Sequence, residues 1–337
     1  MKLFNKADSF ASGKQFKDKV PFQALLQSLN RCSLVYEEPD IVQKYWLAPE
    51  ENPTFTAILK GVSSPKYVTS PPESDEDAQA YLWTDDTSVY VTFRGSSSLD
   101  DFVADADVIS KELFDDDRNI YVHRGFLKQF LSIEPQITAF LKNDPKAQAL
   151  STILVAGHSL GGGCAHIAAP FYGEMFNGQK QPKKTVACHT YGSPRAGNKA
   201  FVDWFHQNVV ENYRVSNYQD PIPTIPLRPL WRHVKHTCIL MMQMEAKQFL
   251  FFGKKQAVEN KFLMRIQEHD VPFWIRIWAP LLCITQRKLL AKQFPEHNTA
   301  KFYYPRLIFF IEEVNDEANA ALSHTDNSKP DAVLRIY

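Results

Sequence analysis

No stretch of this 337-residue sequence stays apolar long enough to cross a bilayer. A spanning helix needs about 20 apolar residues, and the most apolar run, "VPFWIRIWAPLLCI" from Val271, ends after 14 and contains Arg276 and two prolines. The opening "MKLFNKADSFASGKQFKDKV" lacks the apolar core of a secretory signal, which gives the expectation of a cytoplasmic protein. Charge of one sign is not in excess either. Lys plus Arg number 38 and so do Asp plus Glu, so no net field draws the chain to nucleic acid, and no nucleic-acid partner is expected. Cysteine is scarce: five residues, an odd count without metal-like spacing, fit a reducing compartment.

What is present is an ordinary globular balance, 44% hydrophobic and 23% charged, at a length that suits one large α/β domain with elaborations. "PFQALLQSLNRCSLVYEEPD" puts Phe22, Leu25, Leu26 and Leu29 at helical spacing and predicts an amphipathic helix, ending before Pro39, whose role is packing. "AYLWTDD" and "SVYVTFRG" predict a hairpin or adjacent strands. Beyond them, "STILVAGHS", "KTVACHTYGSP" and "YRVSNYQDPIP" are apolar strand patterns that alternate with the helical "RGFLKQFLSIEPQITAFLKND" and "NKAFVDWFHQNVV". Apolar strands alternating with helices predict a mostly parallel central sheet with helices on both faces, and in such sheets chemistry sits at the C-terminal ends of strands. "HVKHTCILMMQMEAKQFLFFG" suggests a long hairpin, "FWIRIWAPLLCITQRKLLAKQF" a helix broken at Pro280, and the segment from Glu312 a polar tail.

The motif "GHSLG", residues 157–161, sits between a strand pattern, "TILVA", and a helix pattern, "LGGGCAHIAAPFYGEMF". That is the context of a nucleophile elbow, a sharp strand-to-helix turn that lifts a serine hydroxyl above the sheet. Gly157 and Gly161 stand where side chains would not fit, and small residues at 162, 163, 165, 168 and 169 let the helix lie close to the sheet. The helix N-terminus offers N–H groups to a developing oxyanion. Ser159 is therefore the candidate nucleophile. It needs a histidine to take its proton and a carboxylate to orient that histidine, and in the α/β-hydrolase order the acid precedes the histidine. Asp220 ends a strand pattern before Pro221, which fits an orienting carboxylate and a plain turn aspartate equally; Asp203, within a helix, is the weaker candidate. Five histidines follow: His233, His236, His269, His297 and His324. His297, in a loop before a helix, is free to reach across, whereas His233 and His236 follow the acid closely and His324 lies in the tail. Cys164 is a small packing residue.

With these residues in place the sequence resembles the fungal-type, or class 3, lipases of the α/β-hydrolase fold. The resemblance runs through "VTFRGSSSLDDFVADADV", "VHRGF", "LVAGHSLGGGCA", "TYGSPRAGNKAF", "RVSNYQDPIPTIP" and "HN", covering about residues 80–226 and 294–305. It implies Ser159 as nucleophile, Asp220 as orienting acid and His297 as base. It further implies an oxyanion hole made by the backbone N–H of Ser96, helped by its hydroxyl, and by the N–H of Leu160. Residues Ser97 to Ile109 match a short lid helix. Here that segment carries Asp100, Asp101, Asp105 and Asp107, where a lid that opens onto lipid shows an apolar underside. His233, in "WRHVKH", matches a structural strand, and the absence of matched disulfide cysteines fits an intracellular relative of a family often secreted.

The expected organisation is a single α/β-hydrolase domain over residues 1–311. It includes an N-terminal helical extension to about residue 70 and an unmatched insertion at about 237–293, and a polar tail spans 312–337. The expected function is hydrolysis of the acyl esters of lipids, without metal or organic cofactor. Phospholipase A1 chemistry would use the same triad, acyl transfer to an alcohol the same residues, and a non-catalytic lipid- or partner-binding module the same fold. The expected partners are a lipid ester substrate and transient contact with a membrane or lipid-droplet surface, the latter from Phe273, Trp274 and Trp278 beside Arg276 and Arg287.

Overall fold

The computed structural model describes residues 20–51, 53–96, 110–114, 116–177, 183–217, 220, 222–226, 231–234, 237–244, 249–251, 254–256, 261–267, 303 and 307. Helices α1 (Phe22–Leu34), α2 (Pro39–Leu47) and α3 (Pro53–Leu59) come first. Strands β1 (Lys66–Thr69), β2 (Gln79–Thr84) and β3 (Ser88–Phe93) follow. The short β4 (Ser110–Glu112) and β5 (Tyr121–His123) precede helices α4 (Arg124–Asn143) and α5 (Pro145–Ala149). Then come β6 (Thr152–His158), α6 (Leu160–Asn177), β7 (Thr185–Tyr191), α7 (Lys199–Asn208) and β8 (Glu211–Asn217). The last strands are β9 (Thr237–Met244), β10 (Phe249–Phe251), β11 (Lys254–Gln256) and β12 (Lys261–Gln267).

Eight of these strands form one sheet in the order β1-β2-β3-β6-β7-β8-β9-β12. Strands β3, β6, β7, β8 and β9 run parallel, with antiparallel strands at both edges. The hairpin expected from "AYLWTDD" and "SVYVTFRG" is the antiparallel β2–β3 pair. Side-chain alternation accounts for the apolar strands. On one face Val89, Val91, Phe93, Ile153, Val155, Val186 and Cys188 pack with residues of α4, α6 and α7. On the other, Tyr81, Trp83, Tyr90, Leu154, Ala156, Tyr191 and Val215 pack with α1, α3, Tyr303 and Leu307. Both faces of a parallel sheet must be covered, so both strand parities are apolar.

The amphipathic helix ends at Leu34, before Pro39, as expected. One expectation changes. The long hairpin after residue 233 is not formed between neighbouring runs: β9 continues the central sheet parallel to β8 and pairs on its other side with β12, while β10 pairs with β11. Parts of the stretch without family match thus supply two strands of the main sheet. The lid segment 97–109, the broken helix expected over 273–294 and the polar tail lie outside the described residues. Among the described residues no helix is long and apolar enough to cross a membrane.

Candidate active site

Strand β6 ends at His158, and α6 begins at Leu160, so one residue makes the turn. That residue, Ser159, adopts a left-handed φ of 57°, a conformation non-glycine residues avoid and one that concentrates at functional sites. Its N–H donates to the Tyr191 carbonyl at 3.0 Å, and its own carbonyl accepts from Gly162 N at 3.0 Å and Gly163 N at 3.2 Å, which fixes the turn from both sides. The glycines are demanded by space: a Cβ on Gly157 would stand 2.2 Å from the Gly161 carbonyl oxygen, and one on Gly161 would stand 2.5 Å from that of Phe93. The Ser159 side chain is buried, and its Oγ has no hydrogen-bond partner among the described residues. Leaving a buried hydroxyl unpaired costs about 1–3 kcal/mol, a cost consistent with a group reserved for a reacting partner.

The end of β3 lies against this turn. A Cβ on Gly95 would meet the His158 carbonyl oxygen at 2.6 Å and the Ser159 Cβ at 3.2 Å. Ser96, the expected oxyanion residue, therefore follows directly on the point where the two chains touch. Leu160 opens α6, so its N–H is among those a helix leaves without an intrahelical acceptor. Nucleophile and both expected oxyanion residues are brought to one place.

Asp220 lies just past the C-terminal end of β8, buried. Its Oδ1 accepts from Ile222 N at 2.9 Å, and its Oδ2 accepts from the Tyr303 hydroxyl at 2.7 Å. The Tyr303 oxygen also accepts from Asn217 N at 3.2 Å, and its ring packs edge-on to His158 and Tyr191 at 6.0 Å and 6.4 Å between centroids. One phenol thus spans the acid and the residue before the nucleophile. His297, six positions before Tyr303 in the chain, lies outside the described residues.

The turn after the acid is held from behind. Arg195, fully buried, donates through Nη1 to the carbonyls of Thr224 and of Pro226, the latter at 2.7 Å, and its N–H donates to Ile225 O at 2.8 Å. His233 Nε2 donates to the Pro223 carbonyl at 2.5 Å. Burial, with Arg214 and Arg195 adding to it, holds His233 well below the ordinary imidazole range, so the ring is a neutral brace. His166 on α6 is a second such histidine: burial first, then Arg214, push it down to about 3, while Nδ1 meets Ser193 Oγ at 3.1 Å and Nε2 meets Thr190 Oγ1 at 3.3 Å. Burial raises the Cys164 thiol, which packs against α4 with Sγ 3.7 Å from the Phe126 carbonyl, an inert placement.

Sequence reasoning missed Tyr36, Tyr303 and Arg195. Tyr36 and Tyr303 act on the site from positions far along the chain, and no local pattern marks them.

A left-handed serine at a glycine-lined strand-to-helix turn, set at the C-terminal edge of this sheet, is the arrangement of the α/β-hydrolase fold. The fold is shared with Rhizomucor miehei triacylglyceride lipase, at 19% identity and a TM-score of 0.54 over 68% of this chain and 82% of that one. It is also shared with lipase II from Rhizopus niveus, at 17% identity and a TM-score of 0.53 over 77% and 88%. Residues 90–229 match the family model described as lipase (class 3), so this part of the chain is similar to the class 3 lipases. Similar curated relatives are the secreted mono- and diacylglycerol lipase 1 of Fusarium solani, 29% identical over 47% of this chain and 45% of that protein, and the secreted mono- and diacylglycerol lipase A of Penicillium cyclopium, 30% identical over 45% and 48%. The chain spans about half the length of the curated relatives it matches.

These relatives correct the expectation of a cytoplasmic location, since both are named as secreted proteins. The cysteine count on which that expectation partly stood does not record a compartment: Cys32, Cys164 and Cys188 are buried free thiols that fill core space.

Proposed function

We propose that the protein hydrolyses acyl esters of glycerol through a Ser159–His297–Asp220 triad. The observation that carries this reading is the left-handed, buried Ser159 beside the end of β3, its Oγ without a partner among the described residues. In the proposed reaction His297 takes the Ser159 proton as Oγ attacks the ester carbonyl. The N–H groups of Ser96 and Leu160 receive the developing oxyanion. His297 then gives its proton to the departing alcohol, and water repeats the sequence to release the fatty acid. Asp220 would orient the imidazole and stabilise its charged form, a role supported by the way Ile222 N and the Tyr303 hydroxyl hold its carboxylate. No cofactor takes part in these steps. Support for acylglycerol as substrate comes from the relatives named mono- and diacylglycerol lipases.

The test is fatty-acid release from mono-, di- and triolein emulsions and from phosphatidylcholine, wild type against Ser159→Ala. Release from an acylglycerol by the wild type alone supports the reading. Preference for phosphatidylcholine would make the enzyme a phospholipase of the A1 kind, and release by neither protein would overturn the hydrolase. Contact with a membrane or lipid-droplet surface through Trp274 and Trp278 belongs to the same proposal. Unchanged liposome co-sedimentation after both are replaced by Ala would reject it.

A further inference from the structure

We infer that Tyr36 is a positioning residue whose phenol clasps the end of strand β3 onto the nucleophile elbow, so that the N-terminal helical segment sets where the Ser96 oxyanion donor stands relative to Ser159. The inference rests on the hydrolase reading above and names a part of its machinery.

The ladder between β3 and β6 has its last register pair at Phe93 and Gly157. Past that pair, β6 turns into α6 and the chain at 94–96 leaves the sheet, so the relation between Ser96 and Ser159 needs another support. Tyr36 supplies it through one oxygen. Its Oη lies 3.0 Å from His158 Nδ1, and the Gly95 backbone hydrogen-bonds the same atom. A Cβ on Gly95 would stand only 2.2 Å from that oxygen, which shows how closely the phenol presses on the strand. His158 is the residue before the nucleophile and Gly95 the residue before the oxyanion serine, so a single hydroxyl ties the immediate neighbour of each.

The clasp is anchored at its other end. Tyr36 follows the close of α1, where its N–H donates to Ser33 O at 3.2 Å. Helix α1 is seated by Leu25, Leu29, Cys32 and Leu34, all fully buried, and by the Tyr191 hydroxyl donating to the Leu25 carbonyl at 2.5 Å. The Arg94 guanidinium stands 5.8 Å over the Tyr36 ring, a second contact from the oxyanion strand. A phenol that only filled space would not need both hydrogen bonds, nor would it meet both halves of the site.

The test is steady-state hydrolysis of p-nitrophenyl butyrate by the full chain, with inhibition by butylboronic acid, whose tetrahedral adduct places an oxygen in the oxyanion hole. Fluorophosphonate labelling of the wild type is done first. Tyr36→Phe is expected to lower kcat about 10-fold to 30-fold, a fraction of the 10²–10³ lost with a whole donor. KM is expected to stay within about twofold, and boronate inhibition to weaken by the same factor as kcat/KM, because only the transition state uses the displaced donor. Wild-type kcat and wild-type boronate affinity in Tyr36→Phe would overturn the clasp. If Tyr36→Phe does not fold, the bond is tested from its other side: His158→Gln, which keeps an acceptor, should stay near wild type, and His158→Phe should show the loss. Equal values for those two would overturn the clasp. A wild type that neither labels nor hydrolyses would remove the hydrolase reading itself, and the clasp with it.

Discussion

Replacing Ser159 by Gly should stabilise the protein while ending catalysis. The native φ of 57° is a region a serine occupies at a cost of roughly 1–2 kcal/mol and a glycine at none. The buried Oγ, without a partner among the described residues, adds an unpaired-hydroxyl cost of about 1–3 kcal/mol. Against these gains, glycine loses more chain entropy on folding, roughly 0.5–1 kcal/mol. The balance is a gain of about 1–4 kcal/mol. Unfolding entropy of about 2.1 cal/mol/K per residue turns that into a rise in Tm of roughly 1–6 °C for a domain of this size. Ser159→Ala removes the hydroxyl but keeps the strained backbone, so it should fall between wild type and Ser159→Gly. Differential scanning calorimetry on the three proteins at neutral pH checks the order. If both variants melt at or below the wild-type temperature, the view that strain and an unpaired hydroxyl are held at this turn for chemistry is refuted.

Two further outcomes follow from the packing. Gly161→Ala places a Cβ 2.5 Å from the Phe93 carbonyl and 2.7 Å from that of Arg94, both backbone atoms, so the elbow must shift; esterase activity should fall at least about 10²-fold, and an active, wild-type-like Ala variant would contradict the crowding. His166 and His233 are buried neutral, their folded pKa values depressed by burial, so the unfolded chain binds their protons below about pH 6.5 and the folded one does not. Stability should be flat above pH 7 and fall by about 2 kcal/mol per histidine between pH 7 and 5, seen as a dropping Tm; His166→Gln should flatten the slope, and melts independent of pH over that range would refute it.

The elbow was legible in the sequence because its signals are local. A β-rich run, two glycines spaced by geometry and a small-residue helix all fall within "TILVAGHSLGGGCA", and the structure places Ser159 on that turn. The sheet was legible because each parallel strand must be apolar on both faces. Pairing at the far edge was not: β9 chooses β12 over the nearer β10, and strand partners separated along the chain leave no local mark. The same holds for the supports of the site. Tyr36 meets His158 across 122 positions and Tyr303 meets Asp220 across 83, and in both cases the tyrosine sits in a stretch whose local pattern gives only packing. Arg195 could have been suspected from its place in "GSPRAGN", where a charged residue follows a buried strand, but its grip on the Thr224 and Pro226 carbonyls is set by the fold alone.

The central claim is that Ser159 is an activated nucleophile, and labelling by a fluorescent fluorophosphonate tests it most directly, with wild type and Ser159→Ala compared in the presence and absence of mild detergent. Covalent labelling of the wild type alone, mapped by mass spectrometry to the peptide containing "GHSLG", is the predicted result. An unlabelled wild type under both conditions, or label that persists in Ser159→Ala, would contradict it.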